Sequence, residues 1–168
     1  MKKIIVGISV FALIAIAFPV QSAGNIDVSA TVTVELIAVS VDSGSVAYGT
    51  LPLNTSANTV TLNQTQTATN DGNVNIDLSI KSSDAIGGTN WNLVAAVGSL
   101  DEYTHEFSVD SGTNYASFDV NNSVYSSIAA SVNPTGFQDF DLRIKTPTST
   151  SDTLEHTITV NVLATASS

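Results

Sequence analysis

The stretch "NIDVSATVTVELIAVSV", residues 25–41, decides how the chain is read. Apolar Ile26, Val28, Ala30, Val32, Val34 and Leu36 alternate with Asp27, Ser29, Thr31, Thr33 and Glu35. Successive side chains of an extended chain point to opposite faces, so the pattern predicts a strand with one apolar face. The phase then flips. Leu36 and Ile37 are both apolar, and the set continues as Ile37, Val39 and Val41. A slip of one residue moves every later side chain to the other face, which predicts a bulge or a change of sheet near Leu36.

Upstream of this strand, Lys2 and Lys3 precede the apolar run "IIVGISVFALIAIAF", residues 4–18. Pro19 ends the run, and "VQSA" (20–23) supplies small residues for cleavage after Ser22 or Ala23. This is the order of a signal peptide. The run is shorter than the roughly 20 residues that span a bilayer. The expectation is a removed leader, residues 1–23, and a domain over 24–168 with no membrane span after processing. The product is then secreted, to the extracellular space, the cell surface or the periplasm.

The 168 residues carry 15 acidic and 5 basic side chains, a net charge of −10. Without Lys2 and Lys3, 15 acids face 3 bases, a net of −12. Nucleic acid is disfavoured as a partner, because binding a polyanion needs clustered Lys and Arg. Anionic lipid surfaces are disfavoured for the same reason. With no Cys, disulfides and thiolate chemistry are excluded.

Downstream the period-two pattern recurs. Strands are predicted at 46–49, 59–69, 74–80, 91–97, 103–109, 115–120, 140–145 and 156–165. The 59–69 stretch is Thr-rich and polar, as an edge strand would be, and 124–132 reads as strand or helical turn. Turns fall at the spacing of sandwiches and barrels. The predicted fold is all-β: a single antiparallel two-sheet sandwich, immunoglobulin-like, of nine or ten strands. Trp91 is expected as a core anchor between the sheets. "TNDGN", residues 69–73, reads as a hairpin or inter-strand turn built on residues that tolerate positive φ.

Catalytic signatures are missing from the sequence: no G-x-S-x-G elbow, H-E-x-x-H pair or phosphate loop. His105 and His156 both fall at the apolar phase of strands. With Glu106 or Glu155 they would make a zinc-like set, but a partly buried, hydrogen-bonded histidine is the simpler reading. Asp139 and Asp141 share one strand face, and Asp101 and Glu102 are adjacent. Such pairs serve glycosidases only when held across a cleft, and Arg143 and Lys145 suggest local charge compensation on an exposed strand instead. Calcium assembled from separate loops would draw on Asp71, Asp84 and Asp110, with Asp42 nearby in kind, although the EF-hand spacing is absent. Carbohydrate platforms would need exposed aromatics, for which Tyr48, Tyr115 and Tyr125 are available. Asn54, Asn63 and Asn121 head glycosylation sequons, which matter only in a host that uses them.

The order of signal peptide, alternating N-terminal strand and Cys-free, Thr/Ser/Asn-rich β-sandwich resembles secreted immunoglobulin-like surface proteins. Among these are fimbrial and biofilm-fibre subunits of the donor-strand type. The resemblance implies that Ile26, Val28, Ala30, Val32, Val34 and Leu36 form a partner strand completing the sheet of the next subunit. Main-chain hydrogen bonds would give affinity, and alternate side chains would fill pockets. Such a head-to-tail contact does not close, so it makes filaments. The sequence expectation is therefore an exported structural or adhesive surface protein, not an enzyme, self-associating or binding other surface proteins. It needs no cofactor unless calcium binds. The alternative is a monomeric extracellular module binding glycan or calcium, and a hydrolase ranks behind both.

Overall fold

The computed structural model describes residue 24 and residues 27–168. The predicted leader, residues 1–23, lies outside the described residues, as do Asn25 and Ile26. The chain divides into two units, residues 1–33 and 34–168. In the first, the described residues form no helix or strand, and all are exposed.

The second unit is all-β. In chain order it comprises β1 (Val39–Val41), β2 (Ser56–Asn58), the single helical turn α1 (Thr59–Leu62), β3 (Gln66–Asn70) and β4 (Ile76–Lys81). There follow β5 (Ala85–Ile86), β6 (Asn92–Leu93), β7 (Glu102–Ser108), β8 (Ala116–Ser117) and β9 (Ser126–Val132). The last are β10 (Phe137–Lys145), β11 (Thr157–Ile158) and β12 (Asn161–Ala166). The larger sheet runs β1-β3-β10-β7-β6, with β2 on β10 and β8 on β7; a second runs β12-β4-β9, and β11 pairs with β5. The strand pairs are antiparallel except the short parallel contact of β6 with β7.

Alternation explains the core. Ile76, Leu78 and Ile80 of β4 are fully buried, with Asp77, Ser79 and Lys81 between them only partly covered. Tyr103 and Phe107 of β7 and Phe140, Leu142 and Ile144 of β10 meet them from the larger sheet. Both sheets thus share one apolar cluster, an arrangement consistent with a β-sandwich.

Several elements differ from the sequence reading. The predicted strand 59–69 begins as α1, because the Asn58 side chain caps it by accepting from the Thr61 N–H at 2.9 Å. Asn63, at φ 53°, ends it in the left-handed conformation. Its strand portion, β3, is no edge but lies between β1 and β10. The ambiguous stretch 124–132 resolves as β9, while 91–97 and 115–120 shrink to the two-residue strands β6 and β8. β3 and β4 belong to different sheets, so the turn between them is a crossing and not a hairpin.

The chain passes Leu36 without a bulge and without changing sheet. The Asn73 N–H donates to the Leu36 carbonyl at 3.1 Å and the Asp71 N–H to the Ala38 carbonyl at 3.0 Å. Val39 then faces Asn70, Val41 faces Ala68, and the Asp42 N–H donates to the Thr67 carbonyl at 2.9 Å. Every step forward on one strand is matched by one step back on the other, so the register is unbroken. The Asn73 side chain extends it, accepting from the Leu36 N–H and donating to the Val34 carbonyl, both at 2.8 Å. The apolar phase flips while the backbone does not. What changes at Leu36 is which face of the chain is apolar, while its backbone pairing with 67–73 continues.

Candidate functional site

That unbroken register fixes where the apolar side chains point. The odd-numbered Val39 and Val41 pack against the core. The even-numbered set therefore lies on the opposite face, and there Val34 is 77% exposed and Leu36 54%. Further toward the N-terminus Val28 and Val32 are each 89% exposed. Val34 and Leu36 thus have no core to face among the described residues, and within the first unit neither have Val28 and Val32. A stripe of this regularity on a soluble surface marks an interaction site more often than chance exposure.

A complementary feature lies in the second unit: a groove of about 1180 Å³. Its floor is β10, where Phe140, Leu142 and Ile144 are buried. One wall is β1 and the segment after it, with Val46, Tyr48 and Leu51 half-buried. The other is the stretch from Asp152 to Val162 at the start of β12, with Ile158, Val160 and Val162 half-buried. β1 and β12 are both edge strands, each at the end of its sheet. Unpaired edges beside apolar side chains are templates for a further strand.

The two walls are built differently. The 150–156 wall is pinned. Trp91 Nε1 donates to Thr150 Oγ1 at 3.1 Å. Asp101 accepts from the Thr150 and Ser151 hydroxyls at 2.8 and 2.7 Å and from the Ser151 N–H at 2.8 Å, and these bonds hold its carboxyl below the usual range. The His156 ring stacks on Trp91 at 3.9 Å, and its nitrogens lie 2.8 Å from the Leu154 and Thr89 carbonyl oxygens. A Cβ on Gly87 would lie 2.5 Å from that ring, so the turn before Trp91 needs glycine to close on it. The wall after β1 is held by side chains, Gln64 and Gln66 on its backbone and His105 on the Tyr48 hydroxyl, and no backbone–backbone hydrogen bond reaches 45–51 among the described residues.

At the bottom of the groove His105 is buried, with Nε2 3.1 Å from the Tyr48 hydroxyl and Nδ1 2.7 Å from Ser82 Oγ. Desolvation pushes its pKa down to about 3, so the ring is neutral. Ser82 beside a histidine has the composition of a nucleophile and base. Yet Ser82 as a whole is 2% exposed and the other ring nitrogen is spent on Tyr48. Tyr48 is itself raised well above the ordinary phenol range, chiefly by burial.

The remaining sequence candidates disperse. His105 and His156 do not meet; Trp91 and Tyr103 lie between them in a chain of ring contacts. Asp141 is not on an exposed face with Asp139: it is buried because α1 covers it, and it accepts from Thr59 Oγ1 at 2.8 Å and Thr65 Oγ1 at 2.6 Å. Arg143 instead pairs with Glu106 across the sheet at 2.5 Å. Asp84 accepts from the Leu93 N–H at 2.9 Å. Asp110 is saturated by Ser108 and Asn114, which pull its pKa down to about 2. Asp71 sits in the crossing turn beside Gly72. Among the described residues no three acidic or histidine side chains form a set able to hold a metal ion. Trp91 offers no open platform on the face that His156 covers, and Tyr48 points into the groove rather than to the surface.

The sequence pattern predicts a strand over 26–36, whereas among the described residues the first assigned strand is β1 at Val39–Val41; sequence reasoning also missed the groove and the grip of Asn73 on Val34 and Leu36. The local signal for the latter was present in "NDGN". Gly72 is there because a Cβ would lie 2.2 Å from the Leu36 carbonyl oxygen, and its φ is not positive. Compared with known protein families, with curated proteins and with solved structures, the chain matches none.

Proposed function

We propose that this is an exported, immunoglobulin-like surface protein that assembles into fibres. Residues 26–36 of one copy enter the groove of a second. The observation that carries the reading is the exposure of Val34 and Leu36, set opposite to Val39 and Val41 that pack on the core, with Val28 and Val32 exposed in the first unit and continuing the same alternation in sequence. Ile26, outside the described residues, continues the same stripe in sequence.

Two further points support donation to another copy. From Val28 to Val41 the sequence holds no Gly, Pro, Asn or Asp. Those residues make tight reversals, and a return to the chain's own groove would need one. Residues 26–36, extended, span about 35 Å. The groove-lining stretch from Thr157 to Val162 is six residues, about 20 Å if extended, so it would run beside part of that length.

The test is electron microscopy of the purified exported protein beside the double variant Val28→Asp/Val32→Asp. Both valines are exposed, so the substitutions leave the melting temperature of the monomer within a degree or two. Filaments are expected from the unaltered protein and none from the variant. Filaments from both, or only monomers from the unaltered protein under every condition, would sink the reading.

A further inference from the structure

We propose that segment 45–51 is the edge on which the donated strand pairs, and that this segment becomes a true strand only in the assembled fibre. The inference rests on the fibre reading above and adds the pairing edge.

The segment follows β1 after a break at Ser43 and Gly44, whose φ values are 65° and 58°. It then runs beside the residues that lead into β3. The Ala47 N–H donates to Gln64 Oε1 at 2.7 Å, and Gln64 Nε2 donates to the Ala47 carbonyl at 3.0 Å. Gln66 Nε2 donates to the Ser45 carbonyl at 3.5 Å. Side-chain amides thus stand where the peptides of a neighbouring strand would be.

In an extended chain the N–H and C=O of one residue point to one side and those of the next to the other. Ser45 and Ala47 point toward the glutamines. Val46 and Tyr48 therefore present their backbone groups outward, and no hydrogen bond reaches those groups among the described residues. Their side chains already enter the groove. The segment has the alternation of a strand, a satisfied inner side and an open outer side. Only a neighbour is missing.

β12 is the competing edge. It is laddered to β4 at every residue from Asn161 to Ala166, so its order needs no second neighbour. Segment 45–51 has no such ladder, and Gly44 just before it and Gly49 within it, at φ 58° and 71°, take backbone conformations that glycine adopts without strain. It is the wall able to adjust to an incoming strand, while the 150–156 wall is fixed.

Hydrogen–deuterium exchange on the full exported chain tests this, comparing the monomer with fibres and with monomer plus a synthetic peptide of residues 26–36. Amides of Val46 and Tyr48 are expected to slow at least tenfold on assembly or on peptide binding. Fibres or bound peptide with slowing confined to 161–166 would overturn the pairing edge and leave the fibre reading intact. Absence of both fibres and peptide binding would overturn the two together.

Discussion

Two buried side chains set measurable quantities at the scale of single residues. Thr59 Oγ1 donates to Asp141 and accepts from the Leu142 N–H at 2.9 Å. Thr59→Val keeps the shape and removes both bonds, leaving a buried N–H unpaired and the carboxylate one donor short. A loss of about 1–3 kcal/mol is expected, read as a lower urea midpoint at unchanged slope. His105 gives a pH dependence whose sign follows from its depressed pKa. In the unfolded chain a histidine takes its proton near pH 6.5, but the folded ring refuses it until about 3. Below 6.5 the unfolded state therefore binds more protons. The contribution is fully present above 6.5 and is lost as pH falls toward 3, at up to about 1.4 kcal/mol per pH unit. Lowered carboxylates such as Asp77, Asp101 and Asp152 add their own losses only as pH falls below about 4. Denaturant midpoints between pH 7 and 4.5 should fall for the unaltered chain, and His105→Gln should flatten that slope. The inward position of His105 was legible in the alternation of "YTHEFSV". The burial of Asp141 was not, because a local pattern cannot show that α1 folds over it.

Among the elements, the junction between the alternating strand and the domain is the one most exposed to a single substitution. Gly72 passes against the Leu36 carbonyl, and an added Cβ would sit 2.2 Å from that oxygen. Backbone meets backbone there, so relief requires the 34–38 stretch to move away from the crossing turn. Gly72→Ala is expected to speed amide exchange at Leu36 and Asn73 while β4 stays protected. The midpoint should drop by about 1–3 kcal/mol, the range for overpacking a tight contact. Equal exchange in variant and parent would show that the contact is loose. Alternation made β4, β7 and β10 readable, since each buries every second residue against one core. The phase flip at Leu36 was equally visible, but its cause was not. A bulge and a change of apolar face leave the same mark in sequence, and only the register beside Asn70 and Asn73 separates them. The groove was hidden for a related reason. It depends on which edges of the two sheets lack a neighbour, and pairing between distant segments leaves little local trace.

On the scale of the whole molecule, charge opposes the proposed assembly while apolar burial favours it. Outside residues 1–23 the chain carries 15 acids and 3 bases, and the segment proposed to be donated holds Asp27 and Glu35. Stacking copies head to tail brings like charges together, with Asp152 and Glu155 on the rim that receives them. Each valine of the stripe gains about 1.5–3 kcal/mol when fully buried, which several such residues sum to a sizeable drive before ordering costs. Repulsion between exposed charges is screened by salt, whereas burial of valine is not weakened by it. Raising ionic strength from about 0.01 to 1 M shortens the Debye length from ~30 Å to ~3 Å. Fibre growth followed by light scattering is therefore expected to accelerate with sodium chloride, in contrast to a contact made by ion pairs. The Val28→Asp/Val32→Asp variant should stay flat across the same range, because screening cannot replace the lost apolar face. Growth that slows with salt would assign the contact to ion pairs and remove the apolar stripe as its driving force.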